Sequence, residues 1–246
     1  MNKIALYFIL CLAGCDFGSG AKNASAERIE APSVTNEART YSKSKLQRAV
    51  SAAFPSDKPL RDADGVEWTF KKHKLVETPF GPALVSQAEP DIDTIGHVTS
   101  GRIDVNYLSQ FDDGFSVEQR FPAAVTIGSN GTVGEWAVVS QFGELPMIYA
   151  SGGFTNMGTT EGCMVLVELG RNGPKQLVAI PDYFGIMDGN EVEGKIENIL
   201  KSKGFDVRYK SKIDGKATDK VVHYAWRGDK YTRQGPPVLD HCGEDQ

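Results

Sequence analysis

Between residue 55 and the C-terminus, apolar side chains come in short runs that alternate with polar ones, and glycine-bearing turn pairs separate the runs. Ile103, Val105 and Tyr107 alternate with Asp104 and Asn106; Phe115 and Val117 repeat the pattern; Val222, Tyr224 and Trp226 form a further apolar edge. A period of two places alternate side chains on opposite faces of a strand, so these segments read as half-buried β-strands. Residues 164–169 and 177–180 are continuous apolar runs joined by Gly170-Arg171-Asn172-Gly173-Pro174, and Asn-Gly between apolar runs is a strong hairpin signal. Asp113-Gly114, Asn130-Gly131, Asp214-Gly215 and Gly228-Asp229 mark further tight turns. This spacing suits about ten strands and is too close for crossover helices, so neighbours should run antiparallel. The expected fold is mainly β, an antiparallel sandwich or a strongly bent sheet.

One helix interrupts the pattern. Leu46, Ala49, Val50, Ala53 and Phe54 follow the i, i+3, i+4, i+7, i+8 series, Ser42 or Ser44 can cap the start, and Pro55 stops it. Lys43, Lys45 and Arg48 fall on the other side, the solvated face of a helix docked on a sheet. Residues 193–204 are ambiguous between helix and strand; Ile196, Ile199 and Leu200 with Gly204 as terminator favour a short helix or turn.

The N-terminus carries a different message. Lys3 precedes a ten-residue apolar run, residues 4–13, about half of the ~20 residues a helix needs to cross a bilayer. Leu12-Ala13-Gly14-Cys15 resembles the lipobox of bacterial lipoproteins. That resemblance, confined to these residues, implies a signal peptide over residues 1–14, cleavage before Cys15, lipidation of Cys15, and a mature chain held at the cell envelope through its lipid. Asp16 resembles an inner-membrane sorting residue, and the choice of membrane stays open. The competing interpretation is an ordinary secretory signal with Cys15 left as a thiol. Residues 15–40 are rich in Ala, Ser, Gly, Asn and Glu, too polar to bury a core, and read as a flexible tether. A coil of about 25 residues holds its cargo ~25–30 Å away. A single mostly β domain is expected over residues 41–246.

Loss of Lys3 with the leader leaves 26 basic against 32 acidic side chains, a balance that argues against a nucleic-acid partner. Of four cysteines, Cys11 leaves with the signal and Cys15 is the lipid site, so Cys163 and Cys242 remain, and in an exported protein they are expected to form a disulfide. A nucleophilic Cys163 is disfavoured by Glu161 two residues before it, whose charge raises a thiol pKa.

Few residues point to chemistry. Asp91, Asp93 and His97, with Asp104 further on, resemble the start of a calcium loop, but Ile95 stands where an oxygen ligand belongs and no closing glutamate follows. The four histidines are dispersed, and His73 lies in a basic stretch that reads as solvated. Ser151 lacks the Gly-x-Ser-x-Gly frame of a nucleophile elbow. Residues 151–162 read as a long glycine-dense loop presenting Phe154 and Met157 as apolar contacts for a partner. Glu161, Asp182 and Asp104 are candidate carboxylates for glycan cleavage, which requires a defined separation. No cofactor is implied. The leading expectation is a non-enzymatic, membrane-anchored β domain that binds an envelope protein or a small ligand. The alternatives are a hydrolase acting on an envelope polymer and a protective inhibitor of immunity type.

Overall fold

Turn chemistry sets the topology. In the computed structural model, which describes residues 38, 40–56, 58–96, 99–112, 114–187, 189–240 and 242, three two-residue turns have both central residues at positive φ. They are Asn130-Gly131 (52° and 69°), Met157-Gly158 (48° and 83°) and Asp214-Gly215 (49° and 73°). This is the turn whose twist matches that of a hairpin, and at 157–158 and 214–215 it returns one strand beside the next, whereas Asn130-Gly131, closed by the Ser129–Thr132 bridge, lies where the chain passes from one sheet to the other. The result is two antiparallel meanders. β1 (Leu60–Arg61), β2 (Glu67–Thr78), β3 (Gly81–Pro90), β4 (Gly101–Phe111) and β5 (Gly114–Ile127) form a five-stranded sheet in sequence order. β6 (Trp136–Val139), β7 (Met147–Asn156), β8 (Thr159–Gly170), β9 (Gly173–Ile186), β10 (Glu191–Leu200), β11 (Gly204–Ile213), β12 (Lys216–Trp226) and β13 (Tyr231–Gln234) form an eight-stranded one, also in order. The mainly β, antiparallel class read from the alternation is the class found, and one sheet is strongly curled.

The curl begins where pairing thins. β9 pairs with β8 along its length but meets β10 only through Tyr183, Phe184 and Gly185. Strands β6–β9 therefore face the five-stranded sheet, burying Ile148, Ala150, Val165, Val167 and Leu169 against Val85, Ile103, Val105 and Val125. Strands β10–β13 bend round a second core of Met164, Leu166, Ile180, Phe205, Val207 and Tyr224. β8 feeds both cores from its two faces, which is why residues 164–169 form an unbroken apolar run.

Helix α1 (Lys43–Ala53) lies where the 3.6-residue pattern puts it, with Ser42 Oγ accepting from the Lys45 amide at 3.4 Å. Its Ala49 and Ala53 pack with Leu75, Leu84, Leu108 and Phe115 on the other face of the five-stranded sheet. β4 is accordingly buried on both sides: Asp104 and Asn106, expected to face water, are 7% and 3% exposed. Pairing begins ahead of Tyr41, since the Ala38 amide donates to the Val138 carbonyl and Thr40 bridges Val76.

Two local expectations change. Residues 193–200 are strand, not helix: Val192 and Ile196 enter the curled core at every other pair of positions, and pairing with β11 outweighs the weak helical spacing. Residues 151–162 are not a long loop; all but Met157 and Gly158 belong to the β7–β8 hairpin, because the Thr155 and Thr160 positions pair across it. The β8–β9 hairpin forms as expected, but its central residues are Arg171 and Asn172, and the positive φ falls on Gly173 (124°).

Candidate functional site

The hairpin that replaces the expected loop forms one wall of a cleft of about 510 Å3 between the two sheets. Ser100 and residues 126–130 contribute one side, and Gly152, Phe154, Asn156, Glu161, Cys163 and Gln176 the other, with Cys242 beside them. At the cleft's base the sheets nearly touch. A Cβ on Gly152 would stand 2.8 Å from Gly128 Cα, so only glycine fits there, and Ser129 Oγ donates to the Gly153 carbonyl at 3.0 Å. Phe154 and Glu161 are direct cross-strand partners, so the ring and the carboxylate stand side by side. Among the described residues, the side chains of Glu161, Asn156 and Gln176 make no hydrogen bond to another side chain or to the backbone. They face the cleft as open donors and acceptors.

Cys163 and Cys242 lie within disulfide-bonding distance, with Cα atoms 5.6 Å apart across a sequence separation of 79. The bridge fastens the C-terminal tail to β8 and makes it part of the cleft wall. Phe154 and Met157, taken together from the sequence, are separated by the structure. Phe154 is half-buried in the cleft, whereas Met157 is fully exposed at the hairpin tip, near Met187 on the turn after β9, whose amide donates to the Gly158 carbonyl.

The carboxylates singled out from the sequence fall in unlike places. Asp91 caps the 3-10 turn Ile92–Thr94 by accepting from the Asp93 amide at 3.1 Å. Asp104 Oδ1 accepts from Arg102 Nε at 2.6 Å and from the Ala123 amide at 2.8 Å, and its Oδ2 accepts from Arg102 at 2.9 Å. His97 lies outside the described residues, and among those described no cluster of three or more His, Cys, Asp or Glu side chains stands ready for a metal. His73, read as solvated, is half-buried: Ser86 Oγ lies 2.9 Å from its Nδ1 and Phe54 packs on its ring, and burial lowers its pKa.

Asp182 is the residue that sequence spacing could not place. It is the extra residue of a β-bulge, between the pairs Gly162 with Tyr183 and Cys163 with Pro181. Bulges re-aim side chains. Its carboxylate lies over Gly162, where a Cβ would stand 2.8 Å from Oδ1, and desolvation pushes its pKa up to about 6, aided by the nearby charge of Glu193. Asp182 does not line the cleft; among the described residues Glu161 is the one carboxylate that does. Nothing in the local sequence marks the bulge, and the glycine opposite it was the only available signal.

Comparison of the chain with known protein families, curated proteins and solved structures gave no match.

Proposed function

We propose that the chain is a lipid-anchored envelope protein whose β domain is a binding module, held to a membrane through Cys15 and a tether and presenting the inter-sheet cleft to a small ligand or a segment of an envelope protein. The observation that carries the binding part is the cleft wall: an aromatic ring beside a carboxylate and an amide, with a second amide further along the cleft, whose hydrogen-bonding capacity no described residue uses. Pockets that bind combine apolar surface with a few convergent polar groups in this way. The anchor follows from the residues around Cys15 and confines the module near its targets, which raises their effective concentration.

Labelled palmitate should enter the wild-type chain and not Cys15→Ser, and the variant should leave the membrane fraction; equal labelling removes the anchor. Native mass spectrometry of protein extracted from its own membranes should show a non-covalent adduct that Phe154→Ala loses without a change in thermal stability. An adduct retained by Phe154→Ala moves the binding site away from the cleft.

A further inference from the structure

We propose that the cleft is a saccharide site: a neutral sugar ring lies against Phe154 while its hydroxyls are held by Glu161 and Asn156. The proposal rests on the binding reading above and names the ligand class of the same cleft.

Charge narrows the choice first. Among the described residues Glu161 is the single charged side chain in the lining, and no lysine or arginine is there to meet a phosphate or a carboxylate. An anionic ligand would lose water and meet repulsion. Apolar surface narrows it further. Phe154, Ile127, Val165 and Ala179 are interspersed with hydroxyls, amides and bare glycine backbone, which suits no continuous acyl chain.

What remains is dense, neutral hydrogen bonding around one ring. Carboxylate and primary amide are planar groups with paired acceptors, or a donor beside an acceptor, a geometry that matches two adjacent hydroxyls. A sugar hydroxyl both donates and accepts, so it satisfies these groups as water does. A ligand without hydroxyls would bury them unpaired at a cost. The C–H face of a pyranose supplies the apolar patch that an aromatic face accepts. Register places the ring and the acid in one cross-strand pair, within reach of a single sugar. Little has to move on binding. The hairpin is tied by the Thr155–Thr160 hydroxyl pair at 2.9 Å and by Ser129 to the Gly153 carbonyl, so the groups sit on paired strands instead of a mobile loop.

The test is an NMR titration of the full chain carrying Cys15→Ser, labelled with 15N, against N-acetylglucosamine trimer, maltotriose and cellotriose, with inorganic phosphate, spermidine and an anionic hydrophobic dye as contrasts. At least one trisaccharide should shift the amides of residues 152–163 saturably, with phosphate silent. Phe154→Leu, which keeps apolar bulk but loses the flat ring, should weaken binding about tenfold. Glu161→Gln, a cleft-surface change that leaves the fold intact, should weaken it severalfold, and Met157→Ser should leave it unchanged. If spermidine or the dye shifts these amides and no sugar does, the cleft binds but the saccharide assignment is overturned. If no probe shifts them, the binding reading falls with it.

Discussion

The two polar regions inside this molecule are built on opposite terms. On the outer face of the five-stranded sheet the buried charges are paired: Arg102 grips Asp104 with both at about a tenth exposure and lies over the rings of Trp68 and Phe70. Arg120 bridges Asn106 Oδ1 and the Ala53 carbonyl at the end of the helix. In the cleft, Glu161, Asn156 and Gln176 have no side-chain hydrogen-bond partner among the described residues. A buried polar group must be satisfied within the fold, whereas one at an open cleft can be satisfied by water and then by a ligand. The paired region fixes structure; the open one is where binding belongs.

That contrast can be broken by substitution. Removing the Cys163–Cys242 bridge by Cys242→Ala should have the largest effect, because it frees a loop of 79 residues and loosens a wall of the cleft. Chain entropy alone sets the loss at about 4 to 5 kcal/mol, read from urea denaturation. Arg102→Met should cost about 3 to 5 kcal/mol by stranding Asp104 without its cation. A loss below about 1 kcal/mol would mean that water reaches Asp104 and that the two regions do not differ as described.

Asp182 falls between the two cases, and pH resolves it. Its folded pKa of about 6 stands above the unfolded carboxylate value, so the folded state binds the proton more tightly. The stabilising contribution is complete below pH ~4 and is lost as pH rises through about 6, a change of up to about 3 kcal/mol. Asp182→Asn should flatten the melting temperature against pH between 4 and 7 and stabilise the protein at pH 7. An unchanged profile would show the carboxyl to be solvated. Ser42→Ala should cost about 1 kcal/mol through the lost helix cap, a local effect that leaves both polar regions as they were. The smallest change is expected in the cleft itself: Glu161→Gln should alter stability by no more than about 0.5 kcal/mol, since that carboxylate has no partner to lose among the described residues.

Strand identity, antiparallel neighbours, the helix with its Ser42 cap and the pairing of the two remaining cysteines were legible in local pattern, since period, turn residues and elimination are properties of short segments. Residues 193–200 were misread because helical and strand spacing coincide over so few positions, and pairing with β11 decided the matter. The chain alone determined that alternating strands separated by tight turns would run antiparallel to their neighbours, because turn geometry acts over two residues. Only the tertiary structure decided that β9 and β10 part after three pairs, that Asp104 is buried against Arg102 and the Ala123 amide while Glu161 opens into a cleft, and that a bulge carries Asp182 over a glycine. Those outcomes depend on which faces of distant strands meet, and burial, which gives a polar side chain its chemical character, is set by neighbours far away in sequence.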